Sequence, residues 1–256
     1  MGAASNIIAF DFEKFKNVII PSLKEGESNL LVKNEIEFHN TFNVYGIPGF
    51  TNLNAVMQLF NADLTTCKFD KRFAADENGT YETERVFYRP TKNCWAHEDL
   101  AYLFESLIMR HCSKYFLSVG KIYTLELAIK SRDIAAQKII DKWGQGGNIW
   151  NHGSGGFGEG ILGWINDAEV AELNRLSSTI ELNASFWKSN INLLQSIKAL
   201  IEISAAEGLG LLYGNELRKC LVNNFQYYII LKLTGSDEDI YNGWPAFTTE
   251  MIKDFR

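Results

Sequence analysis

The chain has 256 residues, 46% hydrophobic and 22% charged, proportions of an ordinary globular protein that exclude fibrous and disordered classes. A chain of this length buries enough apolar surface to fold without disulfide or metal staples, and no internal repeat or low-complexity tract is legible in it. Its formal net charge of −6 disfavours nucleic acid as a partner, since that affinity rests on Lys and Arg neutralising phosphates, but it permits a basic protein partner.

Residues 5–10 read as a short strand or buried lead-in. Asp11 is placed to cap a short helix with Phe12, Phe15 and Ile19 on one face, disturbed at Pro21. The segment 29–45 fits neither period cleanly: Leu30, Val32, Ile36 and Phe38 partly alternate, and Leu31 breaks the pattern. Gly46, Pro48 and Gly49 mark a turn, after which Thr51 caps a helix carrying Leu53, Val56, Met57 and Phe60. Asp76–Gly79 reads as a turn and Thr80–Arg89 is rich in strand formers, so a hairpin is expected there.

Beyond that point the pattern is helical. His97–His111 places Leu100, Leu103, Phe104, Leu107 and Ile108 on one face. Residues 121–143 carry a stripe from Ile122 through Leu125, Ile129, Ala136 and Ile140 to Trp143, with a break near Ser131 left open. Asp167 suits the cap of a helix running through Ile180, and a long helix near 183–207 stops at Gly208. Asn215 is placed to cap a further helix with Leu217, Leu221, Phe225, Tyr228 and Leu231 inward, and Thr248 to start a short terminal one. The expected fold is α+β and mostly α-helical, with a small β-hairpin or sheet region in the first ~100 residues packed on a helical C-terminal part. It is read as a single globular domain, with 144–163 the only place for an internal division.

The four cysteines, Cys67, Cys94, Cys112 and Cys220, are too widely spaced for a disulfide framework, and Cys67, Cys112 and Cys220 are expected to be small buried hydrophobes. Cys94 and His97 have metal-ligand spacing, with His111 next. On one helix, however, His97 and His111 would stand about 21 Å apart, so no metal and no cofactor is expected. No secretory leader and no apolar window of membrane-spanning length is visible, which points to a cytoplasmic protein with no membrane contact.

One segment is unusual. Residues 144–163 hold nine glycines in twenty positions and match G-x-G-x-x-G at Gly153, Gly155 and Gly158. A dinucleotide loop needs a preceding strand and following helix, whereas the periodicity puts a helix before this one. Phosphate is further disfavoured because no lysine occurs between Lys142 and Lys188. Two readings of the segment remain. It is a long connection pinned to the core by its aromatics, or it forms a pocket for a neutral ligand. In the second, Trp143, Trp150 and Trp164 supply flat apolar faces and Asn148, Asn151, His152 and Ser154 hydrogen-bonding groups. His152, Ser154 and Glu159 are the candidate catalytic groups. Yet Gly153–Ser154–Gly155 lacks the spacing of a nucleophile elbow, and side chains two apart rarely meet.

With no acid–base pair or metal set legible, the leading expectation is a non-catalytic protein-interaction module, such as an acidic inhibitor or immunity-type protein. The alternative is a small-molecule-binding protein or enzyme using the Gly/Trp-rich 143–164 loop.

Overall fold

The computed structural model describes residues 5–42, 95–120, 125–145, 150–151, 160–183, 191–215, 217 and 229–231. The helix expected at 51–60, the hairpin at 76–89 and the helices after Asn215 and Thr248 lie outside them, apart from Leu217 and a strand at 229–231.

The first strand, Ser5–Phe10 (β1), is buried at all six positions. Successive strand residues point to opposite faces, so a strand with no exposed residue must be covered on both sides. Ile7 and Ala9 enter one apolar cluster, and Ile8 and Phe10 the other. β1 pairs antiparallel with both Ser113–Gly120 (β2) and Gly210–Asn215 (β7). The whole sheet runs Trp150–Asn151 (β4), Gly160–Ile165 (β5), β7, β1, β2 and Ile229–Leu231 (β8). Only the β2–β8 pair is parallel. A separate antiparallel ribbon joins Ile129–Ser131 (β3) to Ile180–Leu182 (β6).

Helices from the N-terminal part of the chain cover the face that carries Ile8, Phe10, Phe116, Ile161, Trp164 and Leu212. They are Phe12–Lys14 (α1), Ile20–Glu25 (α2), Leu30–Phe42 (α3) and Trp95–His111 (α4). As expected, Asp11 caps the first turn, its Oδ1 accepting from the Lys14 amide at 2.8 Å. Between α1 and α2 the helix opens into a π turn over Phe15–Ile19, with the Ile20 amide donating back to the Phe15 carbonyl. Pro21 explains the widening: it has no N–H to donate, and its ring crowds the carbonyl four residues earlier. The ambiguous segment after residue 29 is helical, and Val32 and Glu35 bury one side of it.

The opposite face is covered by Leu125–Ala128 (α5), Ile134–Gln145 (α6), Asp167–Arg175 (α7) and Ile191–Glu207 (α8). Here the sequence reading needs correction at several points. The stripe over 121–143 is interrupted near Ser131, where the sequence leaves a break open: β3 ends there. Ser131 Oγ accepts from the Asp133 amide at 3.1 Å, and Asp133 then caps α6 through the Ala135 and Ala136 amides at 2.8 and 3.0 Å. Asn166, not Asp167, caps α7. The Asn166 side chain accepts from the Glu169 amide while the Glu169 carboxylate accepts from the Asn166 amide, a reciprocal capping box. That helix ends at Arg175, and Ile180 starts a strand. Gly208 stops α8 as expected, with φ 64° and the Leu209 amide donating to the Ser204 carbonyl at 2.8 Å. Asn215 is the last residue of β7.

Strands are therefore not confined to the first ~100 residues: β2, β4, β5, β7 and β8 all follow them. Nor is 144–163 a boundary, since strands on both sides of it share one sheet. The reason for the misreading is burial on two faces. Gly160–Ile165 and Gly210–Asn215 are each buried at all six positions, so they show no alternation, and a short apolar run without alternation cannot be told from buried helix by period alone.

One irregularity positions the later helices. Between β5 and β7 the register passes from Ile161↔Gly214 to Gly163↔Tyr213, so Leu162 is the extra residue of a bulge. At Gly163 a Cβ would stand 2.5 Å from the Trp143 carbonyl oxygen and 2.9 Å from that of Lys142. Only glycine lets the end of α6 lie this close to the sheet.

Candidate functional site

One end of the sheet gathers several polar residues. The registers Asn151↔Gly160, Gly160↔Asn215, Asn215↔Ser5 and Ser5↔Gly120 align five strands in a single row. Ser5 and Asn215 are fully buried, and the Ser5 hydroxyl donates to Asn215 Oδ1 at 2.8 Å. By alternation from Ile7 and Tyr213, both side chains face the layer made by α5–α8. Asn6, also buried, sits opposite Gly214 and faces the other way. Buried amides and hydroxyls cost free energy unless hydrogen-bonded, so the Ser5–Asn215 pair is held in a defined arrangement. Gly160 has φ 96°, which a residue with a side chain rarely adopts. Asn151 and Gly160, which stand on either side of residues 152–159 in the sequence, face each other in the row.

The residues singled out from sequence divide accordingly. Asn151 lies in the row, and Trp150 is its neighbour in β4, paired with Ile161. Trp143 is fully buried near the end of α6, while Trp164 is buried in β5 within the opposite apolar cluster. These two tryptophans do not share a pocket wall, because the sheet separates them. Asn148, His152, Ser154 and Glu159 lie outside the described residues.

A second polar constellation escaped the sequence reading. Glu35, buried in α3, receives four interactions from α4. Ser106 Oγ donates to Oε1, Arg110 Nη1 donates to both oxygens at 3.1 Å, and His111 Nε2 lies 3.2 Å from Oε2. A carboxylate only accepts, so His111 Nε2 is the donor in that contact. Phe38 packs its ring 3.6 Å under the Arg110 guanidinium. Burial raises the Glu35 pKa, but the His111 and Ser106 hydrogen bonds and the charges of Arg110 and His111 together outweigh it and hold the carboxyl below its usual value. The arrangement is a clasp between two helices and not a nucleophile with its base. Ser106 is fully buried, and it and His111 both serve the same carboxylate, whereas an activated serine gives its proton to the imidazole. Only the i, i+4 spacing of Ser106 and Arg110 could have hinted at it; nothing in the sequence ties position 35 to 106–111.

Among the described residues no group of three or more His, Cys, Asp and Glu side chains is arranged to hold a metal ion. Nor is any helix among them long and apolar enough to cross a membrane. Cys112 is a free thiol in the core, pushed up to about 12 by burial, and hence unreactive. Compared with known proteins, the chain matches no family model, no curated protein and no solved structure.

Proposed function

We propose that this protein is a cytoplasmic, non-catalytic binder of an uncharged, hydrogen-bonding small molecule, held at the sheet end that carries Asn151, Gly160, Asn215 and Ser5. The observation that carries the reading is the register. Asn151 and Gly160, on either side of residues 152–159 in the sequence, stand in the same row as the buried Ser5–Asn215 hydrogen bond. Glycines let a ligand approach backbone donors and acceptors, and few convergent polar groups within apolar walls are what ligand sites contain. An uncharged ligand is favoured by the local charge. Lys142, the cation next to Trp143, is taken by Glu169 in α7, and no other lysine follows until Lys188.

The acidic-partner reading draws less support. Glu13, Glu169, Glu172, Glu181 and Glu207 are each ion-paired with a neighbouring Lys or Arg. A basic partner would have to compete with those cations for each carboxylate.

The test is a thermal-shift panel of neutral sugars, polyols, nucleosides and amides, run on the wild type, Asn215→Ala and Asn151→Ala. At a concentration about a hundredfold above Kd a ligand adds about 2.7 kcal/mol, a rise of several degrees. That rise should shrink in both variants. A panel without shifts, together with native mass spectra showing no retained small molecule, defeats the proposal. Capture of a basic protein at low salt would then favour the interaction module.

A further inference from the structure

We draw no further inference here: the strongest candidate, the side-chain cluster of Glu35, Ser106, Arg110 and His111 between α3 and α4, belongs to the clasp already described, where the buried carboxylate is engaged in holding the two helices together.

Discussion

The two faces of the central sheet are closed by different means. On the face covered by α1–α4 the packing is aromatic, and Phe15 is its hub. Its ring lies 5.7 Å from Phe10, 5.9 Å from Phe12, 5.5 Å from Phe104 and 5.6 Å from Trp164. The buried clasp of Glu35 with Ser106, Arg110 and His111 then fixes α3 to α4. On the face covered by α5–α8 the cluster is largely aliphatic, α6 rests on Gly163 by close approach of backbone, and the ion pair that joins α6 to α7, Lys142–Glu169, is partly exposed. The first face keeps every described polar group of its clasp engaged.

Substitutions can break the comparison. The largest effect is expected from Phe15→Ala, which empties the hub of the aromatic face and should cost about 4 kcal/mol, read from the midpoint of urea unfolding. Glu35→Ala comes next, at about 3 kcal/mol, because it strands the Arg110 and His111 side chains without their carboxylate. Hydrogen exchange in that variant should rise over 12–42 and 95–111 while α6 and α7 keep their protection. Uniform exposure of both layers would show that the faces do not open separately.

The clasp also gives the first face a pH dependence. The folded Glu35 pKa lies below the ordinary 4.5. Its contribution is therefore present above pH 4.5 and lost as the pH falls through the depressed folded value. In Glu35→Gln the unfolding midpoint should fall less steeply over that acid range than in the wild type; identical slopes would remove Glu35 from the account.

On the second face, Gly163→Ala should cost about 2 kcal/mol, since the new Cβ meets backbone that cannot rotate aside. Its mark would be a loss confined to contacts between α6 and β5. The smallest effect, about 1 kcal/mol, is expected from Asp133→Ala, which removes the cap of α6. Helicity by circular dichroism should hold while the thermal midpoint drops slightly.

Much of the first face was legible. Asp11 caps as its position before Phe12 implies, and α4 carries its apolar stripe inward, because both are local effects of side-chain chemistry and helical period. The α8 stop at Gly208 belongs with them, since a left-handed residue after a long apolar helix needs no distant partner. On the second face the local signals misled. Ile129 and Ile180 sit in apolar stripes that continue past a helix end, and only the β3–β6 pairing ends them. Of the candidate site, Asn151 and Trp143 were visible as members of an odd segment. Ser5 and Asn215 were not, being ordinary polar residues 210 positions apart.

The sequence by itself determined the caps, the stops, the helices with one polar side and the strangeness of the glycine-rich segment, for each depends on residues within a few positions of one another. Only the tertiary structure decided which apolar runs became strands, which face each tryptophan joined, and that Glu35 meets Ser106. Strand pairing and charge burial join distant parts of the chain. Their free energy depends on what covers each residue from both sides, which no local pattern records.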